Sequence, residues 1–199
     1  MSDHWVDVRV DDGSFIISDG GEIAVETLDL TTGLIGTMDI GAMVTAGIHT
    51  GHVKVCATVV AGPPESDDFA DWDEVVEVSV YAPRGELRVS SVYFGPPDEL
   101  PRLSYDGPGW YRLRVFARGR DTPSPDVVQN DSAERYSLTC WRAPRSTPLI
   151  IRATDRKGRG LRASQVKHID APASPVSENS NSQAELQRQN LRRAARKPD

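Results

Sequence analysis

Six carboxylates crowd around one tryptophan between residues 65 and 74: Glu65, Asp67, Asp68, Asp71, Asp73 and Glu74, with Trp72 among them. Calcium would need six to eight oxygens converging in a tight loop, and the EF-hand spacing with its central glycine and terminal glutamate is absent. The cluster therefore reads as a solvated acidic loop or a partner-facing patch. In the second case Trp72 would be its anchor, because interface energy concentrates on buried aromatic residues. A second cluster has the opposite sign. Arg112, Arg114 and Arg118 share one strand face if the side chains alternate, Arg120 continues the run, and Arg135, Arg142 and Arg145 follow on the next strand and loop. Such a stripe either pairs with acidic strands or meets an anionic partner. His49 and His52 stand three apart, but zinc would need two further ligands, and no neighbouring spacing supplies them. There is no Gly-x-Ser-x-Gly, no Walker loop and no Gly-x-Gly-x-x-Gly. The checklist for an active site stays empty. The sequence predicts no enzyme, no cofactor and no metal, with an unrecognised hydrolase as the enzymatic alternative.

The residues before position 110 carry 20 Asp/Glu and 5 Lys/Arg; those from 110 on carry 9 and 18, so charges of −15 and +9 make up the net −6. This asymmetry points to electrostatic partners. The elements that hold these charges are short runs of period-two alternation between Gly, Pro and Asp turns. Trp5–Val10 and Phe15–Ile17 read as a hairpin or the opening of a meander, and Glu22–Val25 as a further strand. Strands are expected at the edges of Thr31–Gly51. His52–Ala61 puts Val53, Val55, Ala57 and Val59 on one face. Glu74–Tyr81 turns at Pro83-Arg84-Gly85 and returns as Glu86–Phe94. Trp110–Arg120 presents Tyr111, Leu113, Val115 and Ala117 to the core; Glu134–Trp141 and Leu149–Ala153 follow. Eight to ten short strands without an amphipathic helix predict an all-β antiparallel sandwich over 3–154, a barrel being the alternative.

From 155 to 199 the chain turns basic and rich in Ala, Pro, Ser and Asn, too poor in apolar residues to offset ordering entropy. It is expected to be a disordered tail that gives weak, salt-dependent nucleic-acid binding. The N-terminus shows no basic and apolar leader pattern, and no apolar run reaches the roughly 20 residues a membrane helix needs. The two cysteines, Cys56 and Cys140, lie in separate strands and are expected to be reduced, with a disulfide left open. The expected place is the cytoplasm of a bacterium.

The runs Glu77-Val78-Ser79-Val80-Tyr81 and Gly85-Glu86-Leu87-Arg88-Val89-Ser90-Ser91-Val92, followed by Gly109-Trp110-Tyr111-Arg112-Leu113-Arg114-Val115, resemble the competence protein J family over about residues 53–153. Tyr136-Ser137-Leu138-Thr139-Cys140-Trp141 also looks like that family's terminal strand. The resemblance implies a small bacterial inhibitor of a nuclease and carries no site residues. The expected function is a binding module of the inhibitor or immunity type. Its acidic face at Asp67, Asp68, Asp71, Trp72, Asp73 and Glu74 would block a protein partner with a basic surface. The alternative is a nucleic-acid-associated protein acting through Arg112, Arg114, Arg118, Arg120 and the tail.

Overall fold

Alternation of valine with polar residues does produce strands, and the chain is mostly β. A computed structural model describes residues 4–64, 68–121 and 132–170. Among the described residues there are ten strands, all in one compact unit that ends at Gln165. They are β1 Val6–Val10, β2 Ser14–Asp19, β3 Ile35–Thr37, β4 Ala42–Thr45, β5 Gly51–Val59, β6 Glu74–Ala82, β7 Leu87–Ser90, β8 Gly109–Arg118, β9 Arg135–Arg142 and β10 Leu149–Ala153. A six-stranded sheet has the order β1-β5-β9-β8-β6-β10, and a four-stranded sheet the order β3-β4-β2-β7. One hydrophobic cluster draws on both, from Val8, Phe15 and Val44 to Val78, Leu113 and Leu138. Each such side chain, fully buried, contributes about 1.5–3 kcal/mol.

Three expectations need correction. β1 and β2 do not pair with each other, nor do β6 and β7; each pair is split between the two sheets. The turns at Asp11–Gly13 and Pro83–Gly85 are real, but they carry the chain across the core. At the second turn buried Asp19 fixes the crossing, its carboxylate accepting the backbone N–H groups of Arg84 at 2.5 Å and Glu86 at 2.6 Å. The first sheet is also not wholly antiparallel, since β5 and β9 run parallel from Lys54 beside Arg135 to Val59 beside Cys140. A parallel neighbour needs a long connection, which β6 to β8 supply. Glu22–Val25 makes no strand; a 3₁₀ turn spans Val25–Thr27. β3 and β4 fall inside Thr31–Gly51.

The expected tail begins instead with a helix, α1, Arg156–Asp170. Apolar burial does not hold it; buried charge does. Asp155, 3% exposed, accepts Arg120 Nε at 2.6 Å and the Gly158 N–H at 2.7 Å. The Asp121 carboxylate accepts the N–H groups of Arg156 and Lys157. Arg162 grips Glu74 with both terminal nitrogens, at 2.8 and 3.1 Å. Gly158 permits this approach, because a Cβ there would sit 2.9 Å from Arg120 Nη2. A composition argument that counts only apolar residues does not register ion pairs. Residues 171–199 lie outside the described residues.

Candidate functional site

The side chains of β8 that point away from the core meet aromatic rings. Trp110 stands opposite Tyr81 of β6, Arg112 opposite Trp141 of β9, and Arg118 opposite Arg135 of β9. All four tryptophans of the chain, Trp5, Trp72, Trp110 and Trp141, have a guanidinium over the ring. The distances are 5.6 Å for Arg135 on Trp5, 5.3 Å for Arg118 on Trp72, 5.2 Å for Arg145 on Trp110 and 5.8 Å for Arg114 on Trp141. Stacking of this kind contributes about 0.5–1 kcal/mol at exposed sites and more where water is excluded.

The arginines divide by what holds them. Arg112 and Arg114 share the Glu77 carboxylate, through Nε contacts of 3.1 and 2.7 Å, and Arg112 also reaches Ser79 Oγ and the Ser146 carbonyl. Arg120 leaves the face altogether and is 2% exposed under α1. Three of the four arginines predicted to meet an anionic partner are thus engaged internally. Arg118 and Arg135 are different. They are like charges directly opposite on adjacent strands, an arrangement that costs stability. Neither makes an ion pair among the described residues, and each leans on its own tryptophan.

The acidic cluster is dispersed as well. Asp68 and Asp71 are exposed, the former closing a local turn by accepting the Ala70 N–H. Trp72 packs on Phe116, with centroids 5.4 Å apart, and lies 6.5 Å from Trp5. Asp73 accepts the Gly119 N–H at 2.8 Å. Glu74 is fully buried. Burial pushes its carboxyl above the ordinary value against the pull of Arg162. Asp67 lies outside the described residues. Of the residues expected on an acidic docking face, Glu74 is tied to the helix, Asp73 caps a turn, and Asp68 and Asp71 are exposed near Trp72.

A groove of about 550 Å³ opens at the Trp110 end of this face. One wall is Thr27, Asp29, Thr37, Met38, Asp39 and Ile40; the other includes Tyr81, Trp110, Arg145 and Pro148. The Tyr81 and Trp110 rings lie 5.0 Å apart. Sequence reasoning missed Asp29, Asp39 and Tyr81 as site residues. Trp110 was missed as well, although the strand parity it shares with Arg112, Arg114 and Arg118 is a signal that could have found it.

The other chemistry-bearing residues lie apart. His49 bonds Thr50 Oγ1 at 3.0 Å and stands 3.8 Å from Asp12, in the open at 70% exposure. Cys56 and Cys140 occupy opposite faces of their strands and no disulfide joins them. Cys56 Sγ bonds Ser137 Oγ, and burial pushes the Cys140 thiol up to about 12. Among the described residues no group of three or more His, Cys, Asp or Glu could hold a metal ion. No described helix is long and apolar enough to cross a membrane.

No protein-family model matches the chain, and no curated protein matches it. One solved structure, titled Crocagin biosynthetic gene J, is similar at 15% identity and a TM-score of 0.43, over 73% of this chain and 100% of that one. A likeness that weak says nothing of function. The resemblance to the competence protein J family is overturned: the structural neighbour found is a different protein, and nothing supports that family. Its physical basis also fails, because the Glu77–Val92 segment that carried it is not a paired hairpin but two strands in separate sheets.

Proposed function

We propose that the protein is a non-catalytic binding module that docks a protein partner on the arginine–tryptophan face of the six-stranded sheet. The observation that carries this reading is the pair Arg118 and Arg135. They are like charges set opposite each other, each braced on a tryptophan and without an ion pair among the described residues. A fold that accepts this repulsion gains from it when carboxylates of a partner arrive. Tryptophan and arginine are also the residues on which interface energy concentrates. The partner's fitting surface is thus acidic, the reverse of the sign expected from the sequence, with Asp68 and Asp71 as a repelling rim that sets orientation. An inhibitor or immunity role is compatible with such a module.

Nucleic acid is the second reading, since aromatic rings with interleaved arginines can stack bases. The rings here are already covered by the chain's own guanidiniums, so a base would have to displace them. That favours protein. We further infer that the two sheets pack as a sandwich around their shared core, and that the cytoplasm is the working compartment, which the reduced thiols support.

The test is retention from native extract on the tagged protein at low and high salt. A protein held by the wild type, released by salt, lost from an Arg118→Ala/Arg135→Ala variant and kept by Asp68→Asn/Asp71→Asn is the expected result. Loss from the aspartate variant instead would restore the acidic face and overturn this reading. Retention abolished by nuclease treatment would make nucleic acid the partner.

A further inference from the structure

The groove beside Trp110 carries charges of both signs, and they come from different parts of the chain. Between residues 19 and 39 there are five carboxylates and no lysine or arginine. Asp19 holds the β6–β7 turn, Glu22 pairs with Arg84, and Asp29 Oδ1 accepts the Thr31 N–H at 2.9 Å. Asp29 and Asp39 reach the groove, and Asp39 makes no ion pair among the described residues. Hydrogen bonds tie their wall together. Asp29 and Thr37 exchange two backbone hydrogen bonds, and the Asp39 N–H donates to Thr27 Oγ1 at 2.9 Å. The facing wall is fixed in turn where the Ser146 N–H donates to Ser79 Oγ at 2.9 Å, which holds the segment bearing Arg145 against β6. The apolar lining comes from both walls, Met38 and Ile40 on one, Tyr81, Trp110 and Pro148 on the other.

We propose that this groove binds a zwitterionic ligand of the amino-acid or short-peptide class. Asp29 and Asp39 take the α-ammonium, Arg145, stacked on Trp110, takes the carboxylate, and the side chains rest on Tyr81 and Ile40. A pure cation would be repelled by Arg145 and a pure anion by both aspartates, whereas a ligand with both charges is attracted at both ends. The volume is in the range of small-molecule sites, about 300–1,000 Å³.

Calorimetric titration of the full chain with leucyl-leucine tests this, beside its N-acetylated and C-amidated forms. The free dipeptide is expected to bind saturably, and each blocked form about tenfold more weakly or worse, the scale of one lost charge-assisted hydrogen bond. Asp39→Asn should remove the discrimination against the acetylated form, and Arg145→Gln that against the amide, with unfolding curves confirming that both variants fold. Asp29→Asn serves if Asp39→Asn does not. Absence of saturable binding overturns the proposal, and so does equal binding of either blocked form. Docking of a protein is read at Arg118 and Arg135 and this site at Asp39 and Arg145, so either can fail alone.

Discussion

Arg118 and Arg120 are two residues apart and end in opposite environments. Arg118 stays on the outer face over Trp72, whereas Arg120 is buried among Asp155, the Gly33 carbonyl and Thr45. On a continuous strand they would share a face. Gly119 breaks the alternation: its φ of +83° is one that other residues rarely adopt, and β8 ends before it. The same side chain then does two jobs. Inside, arginine is structural, because its charge must be answered once water is gone; Asp155 answers it through Nε, while Nη2 has no hydrogen-bond partner among the described residues. Outside, it stacks on an aromatic ring and keeps its donors for something else.

The largest expected effect separates these two jobs. Arg120→Ala leaves Asp155 buried without its partner and should cost about 3–5 kcal/mol in urea unfolding, the range for breaking one half of a buried pair. A loss below about 1 kcal/mol would erase the distinction from the outer arginines.

Next comes the pH response of Glu74. Its folded carboxyl is raised above the ordinary 4.5, so the native state holds this proton more tightly than the unfolded chain does. The contribution is fully present below 4.5 and fades as pH rises through the raised value. Glu74→Gln should flatten that part of the stability–pH curve, and a curve unchanged by the substitution would refute the assignment.

The smallest effect belongs to the outer face. Arg135→Ala should change stability by no more than about 1 kcal/mol, the worth of an exposed cation–π contact, and relief of its repulsion with Arg118 reduces even that. Its effect should appear in partner affinity, and thermal melts beside binding curves separate the two.

Much of the strand content was legible. Alternation in β5, β6, β8 and β9 named the inward residues, Tyr111, Leu113 and Val115 among them, because period two is a local property of extended backbone. The turns at Asp11–Gly13 and Pro83–Gly85 were legible too, though not which sheet the chain enters after them. Charge runs were visible, but their destinations were not: Glu74 and Arg162 are 88 residues apart and meet only when α1 folds back. The sequence by itself determined where strands run, which of their faces is apolar, and how charge is distributed along the chain. The tertiary structure alone decided which charges are neutralised and which face solvent. Pairing of that kind depends on distances between residues far apart in the chain, and local periodicity carries no information about them.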